Sequence, residues 1–139
     1  MNAMDELVNK LIRKYKTNDP FAIAHNMNIS IRYADLGNHT RGIYHRTLRR
    51  RFIILHNQLS PEWQRFICAH ELGHDRLHKG INRFFIDEHS FFHAGKYERQ
   101  ANRFAVHLLT ASDTLVPNES IQQFLQRNHI PEEVHPFYY

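Results

Sequence analysis

Hydrophobic and polar positions follow two rhythms along the 139-residue chain, one helical and one extended. Leu7, Val8, Leu11, Ile12 and Tyr15 recur on a single helix face, which predicts a helix over 5–16. Asp19-Pro20 follows as an N-cap with proline in the first helical position, opening a short helix that carries Phe21, Ile23, Ala24 and Met27. The period then changes to two. Ile29, Ile31 and Tyr33 alternate with Ser30, Arg32 and Ala34, as in a half-buried strand. A second strand is expected around Gly42-Ile43-Tyr44-His45, and Arg51–His56 reads as a third with a continuous apolar centre. Gly37-Asn38 is the expected turn between the first two.

The helical rhythm returns at Ser60-Pro61-Glu62, an N-cap, a first-position proline and a first-turn acid. This helix is expected to run over Pro61–Leu77, with Gly80 as a stop. Residues 82–95 are aromatic and irregular, and no element is assigned to them. A further helix is predicted over 96–111, and a short one over 119–128. No repeat, low-complexity segment or flexible linker interrupts the chain, so one domain spanning 1–139 is expected. Strands first and helices after gives the α+β class.

Composition narrows the setting. Hydrophobic residues make up 42% and charged residues 23%, ordinary for a soluble globular protein. The start of the chain leads into an amphipathic stretch, and no apolar run approaches the ~18 residues of a membrane span. The single cysteine, Cys68, has no internal partner for a disulfide. Together these point to a cytoplasmic protein without a membrane partner. The net charge of +4 is concentrated in Arg41, Arg46, Arg49, Arg50 and Arg51, read as the solvated edge of a strand and its turn. Direct nucleic-acid binding is not expected, because neither interleaved aromatics nor a recognition-helix pattern accompanies these arginines.

The chemistry lies in His70-Glu71-Leu72-Gly73-His74. Four residues make about one helical turn, so both histidines project from one side and can bind one ion, with Glu71 within reach of a water beside it. A random shuffle of a chain with 12 histidines would contain HExxH roughly 6 times in 100, so context must carry the reading. Trp63, Phe66, Ile67, His70, His74 and Leu77 share the core-facing stripe of the predicted helix, and buried imidazoles need partners. A catalytic zinc site takes a third protein ligand. Glu98 extends the apolar stripe of Ala101, Phe104, Ala105, Leu108 and Leu109, where a carboxylate is expensive unless paired or bound to metal. The competing role for Glu98 is a first-turn acid that complements the helix dipole. Asn102, one turn on, can orient a ligand histidine. His78 is placed at the surface or behind a ligand, and His89, His93, Tyr97 and His107 are weaker candidates. A metzincin pattern is excluded, since Leu77 and Gly80 stand where it needs glycine and histidine.

His70-Glu71-Leu72-Gly73-His74, followed by Glu98-Arg99-Gln100-Ala101-Asn102-Arg103-Phe104-Ala105 and then Leu108-Leu109, resembles the ImmA/IrrE metallopeptidases. Where that family often continues Met-Pro, this chain has Thr110-Ala111. The resemblance implies a compact zincin-like domain: a small three-stranded sheet, an HExxH helix and a second helix that gives a glutamate ligand. It implies His70, His74 and Glu98 as ligands of Zn²⁺, with Mn²⁺ as the alternative ion in the cell, and Glu71 as the catalytic glutamate. It also implies a helix-turn-helix repressor as protein substrate, whose cleavage derepresses a phage, a mobile element or a stress response. The rival reading is a metal-braced module that displaces a repressor without cutting it. A structural zinc site is a weaker third, because such sites are closed by four ligands and Cys68 is out of position.

Overall fold

The computed structural model describes residues 2–81, the backbone of 83–87, and 95–139. The class is α+β. Helices α1 (Ala3–Tyr15) and α2 (Pro20–Asn26) precede strands β1 (Ile29–Ala34), β2 (Thr40–Arg46) and β3 (Arg51–His56). Helix α3 (Pro61–Leu77), strand β4 (Arg83–Asp87), α4 (Lys96–Thr110), α5 (Ile121–Arg127) and a 3-10 helix (Glu132–Tyr138) complete the described elements. The predicted caps form. The Asp19 carboxylate accepts from the Phe21 amide at 3.0 Å, and the Ser60 hydroxyl accepts from the Trp63 amide at 3.4 Å. Helix α3 stops at a His78 cap, two residues short of Gly80.

The three predicted strands lie in one sheet, and β4, from the unassigned stretch, extends it to the order β1-β3-β2-β4. β2 and β3 form an antiparallel hairpin with Tyr44 opposite Ile53, while β1 runs parallel to β3 with Ile31 opposite Ile53. β1 and β2 are therefore not neighbours. Gly37, with φ +83, turns the chain away from β1 and leaves room for β3 between them. The arginine-rich turn also departs from expectation, because it joins two interior strands rather than decorating an edge.

The layers are sheet, α3 and α4. Tyr44, Ile53 and Leu55 turn their buried side chains into the core, and α3 packs on β2 and β3. The other side of α3 packs on α4, in the most extensive contact between helices. Every residue of α3 from Phe66 to Asp75 is buried. A helix covered on all sides can hold polar groups only if their partners come with the covering elements.

Two contacts set the position of α3. Between the helices, a Cβ on Gly73 would lie 2.9 Å from Cδ1 of the fully buried Phe104, so glycine permits the close approach. Against the sheet, the buried Asp75 carboxylate accepts from the Tyr44 hydroxyl at 2.6 Å and from the Arg51 guanidinium at 3.1 and 3.2 Å. Arg76 donates to the same carboxylate at 2.6 and 2.9 Å. Arg51 also donates to the Met27 carbonyl, so one side chain ties α3, β3 and the end of α2. Burial alone would raise the Asp75 carboxyl, but these donors outweigh it and hold it below the usual range.

Gly73→Ala is expected to destabilise the protein by about 1–2 kcal/mol in urea denaturation, because the clash with Phe104 outweighs the gain in helix propensity. Asp75→Asn leaves the Arg51 charge without its counter-ion. A loss of about 2–3 kcal/mol in the same measurement is expected, below the full cost of a wholly buried pair because Arg51 is partly solvated.

Candidate metal centre

His70 and His74 leave α3 one turn apart, and Glu98 reaches them from the first turn of α4. The three side chains close a triangle. Nε2 of His70 lies 3.1 Å from Nε2 of His74 and 3.0 Å from Oε2 of Glu98, and Nε2 of His74 lies 2.8 Å from Oε1 of Glu98. Both imidazoles are fully buried, and the Glu98 side chain is 17% exposed. The remaining nitrogens face away from the triangle. Nδ1 of His70 donates to Oδ1 of Asn102 at 2.6 Å, which leaves its Nε2 as a lone pair directed inward. Nδ1 of His74 meets Nδ1 of His78 at 2.9 Å.

Electrostatics separates the two carboxyls. Burial alone would raise Glu98, but the contacts its two oxygens make with His70 and His74 outweigh it and bring the group down to about 2, so it is an anion. Burial lowers His74 to about 4, against the upward pull of Glu98, which keeps it neutral. Glu71 moves the other way, well above the usual carboxylate range, because it is fully buried and the Glu98 charge is near. Neither Glu71 oxygen has a hydrogen-bond partner among the described residues, and the nearer approach to His70 Nε2 is 3.7 Å.

This donor set fits a divalent cation. His70, Glu71 and His74 offer ligand atoms within 4.8 Å of one another. Two inward imidazole nitrogens and an ionised carboxylate share a triangle with edges of 2.8–3.1 Å, which bonds of ~2.0–2.2 Å from one ion can span. Without a cation, inward lone pairs would face one another with too few protons to bridge them. The Glu71 carboxyl beside the triangle is a polar group that no described residue satisfies.

The other predicted candidates fall elsewhere. His78 is buried behind His74 instead of at the surface. Tyr97 is partly exposed, with its ring centroid 4.5 Å from that of His78. His107 meets Asp5 of α1 at 3.2 Å and stacks on Tyr138, apart from the triangle. His89 and His93 lie outside the described residues. Cys68 is buried, with its thiol pushed well up by desolvation. Of the basic cluster, Arg51 is committed to Asp75 and Arg41 sits 4.1 Å over the Trp63 ring. Exposed Arg49 and Arg50 line, with His25 and Arg32, a cavity of about 650 Å³ beside β1. The sequence reading missed Asp75, Arg51 and Tyr44 as the brace behind the site, and Gln100, whose Oε1 lies 2.7 Å from Nε2 of His78. An acid directly after HExxH on a helix buried all round was the signal available for the brace. Gln100 offered none, because it depends on the register between two helices.

The chain is 39% identical over 102 residues to an uncharacterized immunity region protein 2 of Bacillus phage phi105, covering 73% of this chain and 65% of that protein. It is 32% identical over 114 residues to the metallopeptidase ImmA of Bacillus subtilis (strain 168), covering 82% of this chain and 66% of ImmA. The matches thus span just under two-thirds of each relative. Residues 24–136, which include the whole triangle, match the model of the IrrE N-terminal-like domain, Peptidase_M78. The chain belongs to that peptidase family.

Proposed function

We propose that this chain is a zinc-dependent endopeptidase in which residues 1–139 act as one domain. His70, His74 and Glu98 hold the ion, with Mn²⁺ as the alternative in the cell. Asn102 orients His70, and Glu71 is the catalytic base. The observation that carries the reading is the triangle of His70, His74 and Glu98 with a buried Glu71 beside it that has no partner among the described residues. A metal at this position supplies Lewis acidity, which polarises the scissile carbonyl and lowers the pKa of water toward ~7. The rest falls to the chain. Glu71, raised well above the ordinary carboxylate range, accepts a proton from the attacking water as its oxygen bonds to the carbonyl carbon. Glu71 then passes that proton to the amine nitrogen as the C–N bond breaks. Asn102 keeps the His70 proton on Nδ1, away from the ion.

The substrate we propose is a protein, a helix-turn-helix repressor, on the strength of the family resemblance. The immunity-region name of the phage relative supports a setting in a phage or mobile element. Action in the cytoplasm is proposed with it, and no described helix is long and apolar enough to cross a membrane. The unpartnered Glu71 argues against a binding module that sequesters the repressor intact. Each unmade hydrogen bond on a buried carboxyl costs on the order of 1–3 kcal/mol, a cost that a non-catalytic domain has no reason to keep.

The experiment combines the purified protein, Zn²⁺ or Mn²⁺, and the repressor encoded beside it, with fragments identified by mass spectrometry. Cleavage by wild type is expected, and release of DNA by an intact repressor would favour the binding module. Glu71→Gln should retain the metal and lose turnover by ~10²–10⁴-fold. His70→Ala and Glu98→Ala should each lose metal in elemental analysis, and full metal content in either would contradict the ligand set.

A further inference from the structure

The side chains behind His74 constrain where protons sit. His78 is 6% exposed and lies between His74 and α4. Its Nδ1 is 2.9 Å from Nδ1 of His74, and its Nε2 is 2.7 Å from Oε1 of Gln100. The hydrogen bond between the two Nδ1 atoms holds a single proton, so one ring donates and the other accepts. An amide oxygen only accepts, so the proton of His78 belongs on Nε2, where it is donated to Gln100. With the ring proton on Nε2, Nδ1 of His78 is a lone pair, and Nδ1 of His74 is the donor in the contact between the rings. That leaves Nε2 of His74 bare, directed toward His70 and Glu98.

We infer that Gln100 and His78 form a positioning relay that fixes the tautomer of His74 and presents its Nε2 lone pair to the metal site. The inference rests on the metal reading proposed above and extends it to two side chains that do not touch the ion. Helix α4 thus sets both imidazoles. Asn102 accepts directly from His70, and Gln100 acts on His74 through the intervening ring. The opposite polarity, with Gln100 donating its amide proton, would run the protons the other way and place a hydrogen on Nε2 of His74, where it would block coordination.

The test compares Zn²⁺ affinity, by competition with a chelating indicator, for wild type, His78→Leu and His78→Asn. Leucine removes the acceptor, while the asparagine Oδ1 can occupy the place of the His78 Nδ1. His78→Leu is expected to bind Zn²⁺ 10–100-fold more weakly than wild type, and His78→Asn to recover most of that loss. Nitrogen-15 NMR of the zinc-loaded wild type should show His78 protonated on Nε2 and His74 on Nδ1. A packing role alone would lower the melting temperature of the metal-free variants, leave the affinity of the folded protein unchanged, and make the smaller asparagine no better than leucine. That result, or His78 protonated on Nδ1, overturns the relay while leaving the peptidase reading intact. Failure of wild type to bind Zn²⁺ overturns the metal reading and the relay with it.

Discussion

The close approach of α3 and α4 at Gly73 is the constraint on which the site depends. The Phe104 ring occupies the space a β-carbon would take, so the two helices meet closely at this crossing. That contact lies between His70 and His74 on one helix, and Phe104 sits six residues after Glu98 on the other. With the register set there, the first turn of α4 places the Glu98 carboxylate across both Nε2 atoms. A wider crossing would separate the carboxylate from the imidazoles while leaving each helix intact. Glycine in the middle of a helix is ordinarily unfavourable by about 1 kcal/mol relative to alanine. Here it is tolerated because it is the residue that lets His70 and His74 of one helix converge with Glu98 of the other.

The sheet supports the same helix from the opposite side. Asp75 follows His74 directly and is held by donors from β2 and β3, so α3 is fixed in rotation as well as in depth. The brace and the ligands therefore occupy adjacent positions on one buried helix and face different layers. Arg51 extends the tie to the carbonyl of Met27, at the cap of α2. Three of the family-matched elements thus bear on a single turn of α3, which suits a site whose donors must hold their geometry within a few tenths of an ångström.

Local signals in the sequence were enough for most of the elements and for the convergence of His70, His74 and Glu98. Ser60-Pro61 marks the start of α3, and the four-residue spacing of the histidines marks their common side. Glu98 was legible because a carboxylate on an apolar stripe requires a reason. The strand order was not legible, because parallel pairing of β1 with β3 is a long-range contact that no turn residue encodes. Gly37-Asn38 reads as a hairpin turn, and the chain uses it to step past the position that β3 fills. The arginine run was misread for a related reason. A solvated edge and an interior hairpin carry similar sequences, and only the buried Asp75 on another element separates Arg51 from its neighbours.

The pattern of hydrogen-bond satisfaction also bears on what the site is for. The two imidazoles have their outward nitrogens matched by partners, and Asp75 accepts five hydrogen bonds on its oxygens. Glu71 is buried to the same degree and has none among the described residues. A purely structural cluster would be expected to satisfy this carboxyl or to replace it by an apolar residue of similar volume, since either choice is more stable. Retaining it unpaired makes sense where its protonation must change during each turnover, because a partner that stabilised one state would oppose the other. The same burial that makes Glu71 costly pushes its carboxyl well above the usual range, so it holds a proton more tightly than an exposed glutamate does.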